Sequence, residues 1–233
     1  MKGRTLAALW RQNPMLVRLL GLSPLLAVSH SLVTALGLGL ATLVVATLGA
    51  ALLVPLRSRL SPPLLLPAVL LVVATLTTAV ELWMQAFCYP LHQALGLYVP
   101  LIAVNGAVLL LGVDPAPRPV TGAIQEGVAV GLGMLLALVL LGAVRELVGH
   151  GTLFTGLDLL LGSRAAGWEL RLLPAGYLFP FWTLPAGGFI GAGFLLALHR
   201  RLAIRRPESA SITPAARARV TPVSRPVGED EGG

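Results

Sequence analysis

A few residues in this chain are of types that do chemistry, and all lie in or beside long apolar runs. Glu81 falls inside one run, about 6 residues from its end. A carboxylate there is either a near-interface group reaching water or a binding site for an ion or proton, because ionisable groups at membrane depth are costly. Arg145 and Glu146 close another run, with His150 close behind. Being adjacent, their side chains point to different sides of a helix, so each needs its own partner. Arg145 could pair with a carboxylate on another helix or on a neighbouring subunit, in a structural role or in ion entry. Glu126 opens the same run, where a carboxylate in a first helical turn is stabilised by the helix dipole. His30 and Asn105 lie at interruptions, where freed backbone groups or an ion could engage them. Cys88 is the one cysteine, which rules out an internal disulfide or a several-thiolate metal site from this chain alone. There is no phosphate loop, no Ser-His-Asp set and no zinc spacing.

The elements that hold these residues are membrane segments. Of 233 residues, 56% are hydrophobic and 12% charged, against about 25% charged in a soluble domain. A water-soluble enzyme and a disordered body are thereby excluded. Six apolar segments are expected, at 14–29, 32–56, 64–87, 95–113, 124–148 and 178–202. The second, third, fifth and sixth are long enough to span. Pro24 interrupts the first; Pro100 and Asn105-Gly106 interrupt the fourth.

The net charge of +7 sits beside the apolar runs: Lys2, Arg4, Arg11 and Arg18, then Arg57 and Arg59, Arg118, and Arg200, Arg201, Arg205 and Arg206. Basic patches for nucleic acid are instead interleaved with aromatics, so no nucleic-acid partner is expected. The pattern is the positive-inside rule, with both termini cytoplasmic and the loops 88–95 and 149–177 outside. A cleaved leader ending at Ala27-Val28-Ser29 is disfavoured by the long basic start and by Pro24. Residues 1–206 read as the membrane domain. Residues 207–233, with no apolar period, read as a disordered cytoplasmic tail.

The chain also repeats weakly. Leu20-Gly-Leu-Ser-Pro-Leu-Leu-Ala-Val28 resembles Leu95-Gly-Leu-Tyr-Val-Pro-Leu-Ile-Ala-Val104, and Gly37-Leu-Gly39 matches Gly131-Leu-Gly133. Two halves, about 14–87 and 95–202, would each hold three spans, and an odd number inverts the second half. The expected fold is therefore an all-α integral membrane protein of six helices in two inverted repeats, with the first and fourth helices broken. Pro24 and Pro100 mark a functional centre or merely kink packed helices. The spacings Gly127-x-x-x-Gly131 and Gly187-x-x-x-Gly191, with Gly193, point to close helix packing.

Three stretches carry a family resemblance: Leu20 to Val28, Val99-Pro-Leu-Ile-Ala-Val-Asn105, and Arg145-Glu-Leu-Val-Gly-His-Gly-Thr-Leu-Phe154. Over residues 6–203 the chain resembles the E subunits of Rnf (Rsx) electron transport complexes, relatives of the D subunit of the sodium-translocating NADH:quinone reductase. The resemblance implies a bacterial inner-membrane subunit paired with a homologous A-type subunit and further redox subunits. It implies electron transfer coupled to sodium or proton movement. It also implies a two-iron, two-sulfur cluster shared with the partner, each of the two giving one cysteine from each broken helix. Here Ser23 and Gly106 stand at those two positions, and Gly112-Val-Asp-Pro-Ala-Pro117 replaces the family's Gly-Arg-Ala-Glu-Ala-Phe-Ala. Glycine has no ligand atom and a serine hydroxyl is a poor substitute for thiolate on iron. The expectation is thus a subunit that binds no cofactor or metal by itself and has no catalytic residue. The candidates for an ion pathway or a broken-helix role are Pro24, Pro100, Asn105, Glu81, Arg145 and Glu146. A stand-alone secondary transporter, or a structural membrane subunit derived from the family, is the alternative.

Overall fold

The computed structural model describes residue 21, residue 26 and residues 28–57, 59–113, 119–162, 165, 167–172 and 179–204. Most of the first apolar segment, including Ser23 and Pro24, lies outside the described residues, as do Arg118, Arg164 and the tail 207–233.

Helix α1 spans Leu32–Arg57, α2 Pro62–Phe87 and α3 Tyr89–Leu95. The fourth segment is broken as its Pro and Asn-Gly predict. It runs as 3-10 turns over Gly96–Tyr98 and Pro100–Val104, extends at Asn105, and resumes as α4, Gly106–Val113. Helix α5 spans Val120–His150. After a short α6, Asp158–Leu161, and a 3-10 turn, Pro180–Thr183, comes α7, Pro185–Ile204. One departure from all-α is small: β1, Thr152–Leu153, pairs antiparallel with β2, Leu170–Arg171.

Among the described residues, α1, α2 and α5 are long and apolar enough to cross a membrane. Helix α7 starts seven residues later than its apolar run, because Pro180 and Pro185 break the backbone ladder there. Its last turns carry His199, Arg200 and Arg201, so only its first part is apolar. Helix α5 starts four residues earlier than expected, at Val120. Glu126 is therefore not in the first turn, and the expected end-capping by that carboxylate is corrected: Pro119 and Val120 open the helix instead.

Helices α1 and α5 run antiparallel and form the centre. Small residues let their backbones meet, the usual driver of helix association in lipid, where hydrophobicity gives no net pull. A Cβ on Gly127 would lie 2.7 Å from the Ala46 carbonyl oxygen, and one on Gly131 2.6 Å from the Leu43 Cα. Gly39 meets Leu135, and Gly142 meets Ala35 and the Ser31 carbonyl. Gly187 and Gly191 likewise pack, on the Trp182 backbone and on Leu141, whereas Gly193 faces open space. One buried cluster joins α1 to α2, α3 and the fourth segment through Leu38, Val45, Val69, Val73, Leu95 and Ile102. A second joins α5 to α1 and α4 through Met134, Leu138, Leu141, Ala35 and Ala107.

The outer faces are apolar, the reverse of a soluble protein. Leu40, Val44, Leu48 and Leu52 form an exposed row on α1, and Phe189, Phe194 and Leu198 stand out on α7.

Replacing Gly131 by valine forces α1 and α5 apart and should cost about 1–3 kcal/mol. Gly193→Ala should be neutral. Thermal unfolding of the detergent-purified protein would read this difference, and equal melting of the two variants would contradict the packing.

Candidate functional site: a buried arginine and glutamate at two chain breaks

Arg145 and Glu146 lie five and four residues from the C-terminal end of α5, and both are buried, with 1% and 0% exposure. Adjacency on a helix sends them to different neighbours.

Arg145 spends all five N–H donors. Nε donates to the Trp182 carbonyl at 2.9 Å. Nη1 donates to the Leu26 carbonyl at 3.0 Å and to the Ser29 hydroxyl at 2.8 Å. Nη2 donates to the carbonyls of Thr183 at 2.9 Å and Leu184 at 3.0 Å. No carboxylate pairs with it among the described residues, and backbone carbonyls take the place expected for a carboxylate of another helix of this chain. The physical reason is that broken segments leave carbonyls unpaired at their ends, and these carry the negative end of the peptide dipoles. The rigid five-donor fork of arginine satisfies several at once, which lysine could not.

Glu146 does the complementary task. Oε2 accepts from the Leu32 N–H at 2.7 Å, at the positive N-terminus of α1. Ser31 Oγ caps the same end by accepting from Val33 N–H at 3.3 Å. Glu146 Oε1 accepts from the Thr155 N–H at 2.7 Å. That loop is bent to deliver this group. Gly151 ends α5 in the left-handed region, at φ 69°, and Phe154 also sits at positive φ, 65°, which is costly for a bulky residue. Thr152 and Thr155 hydroxyls meet at 2.7 Å, and Ser31 Oγ donates to the Thr155 carbonyl at 3.2 Å. Gly149 leaves room for Thr183, whose Cγ2 would lie 2.7 Å from an added Cβ. The run from Arg145 to Phe154 is thus a single knot that fixes the turn before α1, the turn before α7 and the loop between them.

A second junction joins the first segment to the fourth. Asn105 is buried, and its Oδ1 accepts from Ala107 N–H at 3.0 Å, capping α4. Among the described residues its Nδ2 has no hydrogen-bond partner. Gly21, at φ 80°, lies against it, and a Cβ there would be 2.9 Å from Asn105 Oδ1 and 3.0 Å from the Met134 Cε. The chain therefore brings Gly21, Asn105 and Met134 to one point beside the midpoint of the α1–α5 pair. Pro100 opens the 3-10 turn that leads there. Gly106 begins α4 and supplies no ligand atom. No group of three or more His, Cys, Asp or Glu that could hold a metal occurs among the described residues. Cys88 lies at the other break, between α2 and α3, packed against the core. The side chains described at the junction do not fit an iron–sulfur cluster.

Glu81 is elsewhere: it lies on α2, half-buried, and joins neither junction. His150 is exposed at the end of α5. His30 sits in the turn 29–31, as expected, and has an interaction partner. Sequence reasoning named Arg145 and Glu146 but missed Ser29, Thr155 and the 182–184 turn. Pro180 and Pro185 flanking that turn were the available signal.

Replacing Arg145 by methionine strips donors from four carbonyls and a hydroxyl. At about 1 kcal/mol or more per unmet group, a loss of at least about 5 kcal/mol is expected. Glu146→Gln should cost less, about 1–3 kcal/mol, because one amide face turns a donor toward a backbone N–H. Denaturation of the purified variants would check the ranking; an Arg145→Met variant as stable as the parent would contradict it.

Comparison with known proteins agrees with these features. The family model "Rnf-Nqr subunit, membrane protein" matches residues 1–196. The chain is 44% identical, over 92% of its length and 94% of the other's, to the E subunit of the ion-translocating oxidoreductase complex of Pseudomonas aeruginosa (strain LESB58). It is 47% identical to the protein of that name from Haemophilus ducreyi, over 82% of this chain and 84% of that one. With the Shewanella loihica protein of the same name it shares 43% identity over 93% and 95% of the two chains. The chain belongs to the Rnf-Nqr subunit family of membrane proteins.

Proposed function

We propose that this protein is an integral inner-membrane subunit of an Rnf-type complex that couples electron transfer to sodium or proton translocation. The observation that carries the reading is the similarity, over nearly the whole chain, to proteins named as the E subunit of an ion-translocating oxidoreductase complex. In this reading the chain has six membrane segments in two inverted halves, both termini in the cytoplasm, and an A-type subunit as its partner.

Two features support the inverted arrangement. The matched glycine pairs 37/39 and 131/133 lie on α1 and α5, which pack antiparallel about their midpoints. The first and fourth segments, the matched broken pair, meet where Gly21 touches Asn105. A helix of 31 residues is about 46 Å long, against a hydrocarbon core of about 30 Å. The last turns of α5, with Arg145 and Glu146, then lie toward the outer edge of the bilayer.

The role proposed for the chain is mechanical and electrostatic. Arg145 and Glu146 hold the segment ends at fixed positions, and the Gly21–Asn105 contact forms the centre against which the partner subunit packs. The chain itself does not ligate the cluster, because Gly106 offers no ligand atom and Ser23 offers only a hydroxyl.

Purification of the full complex from membranes tests this. The chain should co-purify with the other subunits in a fixed ratio. Separated from them, it should carry no stoichiometric iron and no iron–sulfur visible or EPR signal. A cluster held by this chain alone would overturn the cluster-free role. A detergent-stable particle of this chain by itself, active in solute uptake into liposomes, would overturn the subunit reading in favour of a stand-alone transporter.

A further inference from the structure

Helix α2 carries a polar edge that the described chain meets only at Gln85. Two of its threonines are internally settled: Thr75 and Thr77 donate to the Leu71 and Val73 carbonyls, each at 2.8 Å. Thr78 and Glu81 make no hydrogen bond or ion pair among the described residues. Gln85 lies 3.3 Å from His92 through Nε2 on each side, and its carbonyl oxygen has no partner among the described residues. At 100° per residue, Thr78, Glu81 and Gln85 fall within a sector of about 60° on successive turns. The sector borders the buried stripe of Val73, Thr77 and Met84, opposite Trp83 and Phe87.

The position of this edge gives it meaning. Only 17% of the apolar stretch of α2 is buried, against 56% for α1 and 50% for α5. Glu81 and Thr78 lie six and nine residues from the end of the helix, about 9 and 14 Å along its axis. Hydrocarbon offers neither donor nor acceptor there. A headgroup could reach Glu81 from the surface but not Thr78. Hydroxyl, carboxylate and amide on one helical edge are the groups that bond across neighbouring membrane helices. A second copy of this chain using the same edge would set Glu81 against Glu81, and like charges disfavour that isologous contact.

We propose that the Thr78–Glu81–Gln85 edge is a docking surface for a membrane helix of another subunit of the complex. That helix brings a basic side chain opposite Glu81 and polar groups opposite Thr78 and Gln85. The inference rests on the subunit reading above and adds where and by what chemistry the contact is made.

The test uses the complete complex produced in membranes. A benzophenone side chain is placed in turn at Thr78, at Gln85 and, as a control, at Trp83. Positions 78 and 85 should give one and the same adduct, to an apolar segment of another subunit that contains Lys, Arg or His. Position 83 should not give it. Glu81→Leu should lower the adduct at 78 by a few-fold to about tenfold, with Glu81→Gln between it and the parent. Adducts only to lipid or to another copy of this chain overturn the proposal, as does a captured segment with no basic residue. If any of these contrary results is found while the chain still co-purifies with other subunits, the docking edge fails alone. If no other subunit co-purifies, the subunit reading fails with it.

Discussion

A membrane segment that breaks exposes backbone N–H and C=O groups that lipid cannot satisfy, and every such group needs a partner within the protein. That constraint organises this chain. Arg145 meets the carbonyl ends of broken elements, and Glu146 meets the amide ends. The two charges are thus matched to opposite ends of peptide dipoles rather than to each other. A buried guanidinium with no carboxylate partner among the described residues is tolerable because all five of its donors are used.

The knot depends on close packing beneath it. Glycines at 127, 131 and 142 bring α5 against α1, so that Glu146 arrives within hydrogen-bonding distance of Leu32. The same approach sets Met134 beside Gly21 and Asn105. Local turn chemistry then completes the arrangement, with Gly151 ending α5 and Phe154 held at positive φ so that Thr155 turns its N–H to the carboxylate. Each residue of the Arg145–Phe154 run that enters the knot has an assignable task there. The family resemblance in that run therefore has a physical basis in chain geometry and does not require a catalytic group.

Much of this was legible in the sequence, and the exceptions have identifiable causes. Long apolar runs placed α1, α2 and α5 to within a few residues, since hydropathy reports helix length directly. The break at Asn105 followed from its neighbours Pro100 and Gly106. Glu126 was misplaced because Val120 to Ile124 is a weak apolar stretch and its helical start depends on Pro119. The partners of Arg145 were unreadable: carbonyls at 26 and 182–184 have no side-chain signature, and they come together only through packing more than 100 residues apart in one case. Glu81 could be seen as an intramembrane carboxylate, but only the structure shows that the described residues leave it unmatched.

The central claim is that Glu146 holds the start of α1 through a backbone amide. Residue-resolved hydrogen exchange of the Leu32 and Thr155 amides, in the protein and in Glu146→Ala, tests it most directly. Both amides should exchange slowly in the parent and become fast in the variant, while amides in the middle of α1 stay slow. Fast exchange at Leu32 in the parent, or unchanged exchange in the variant, would contradict the account.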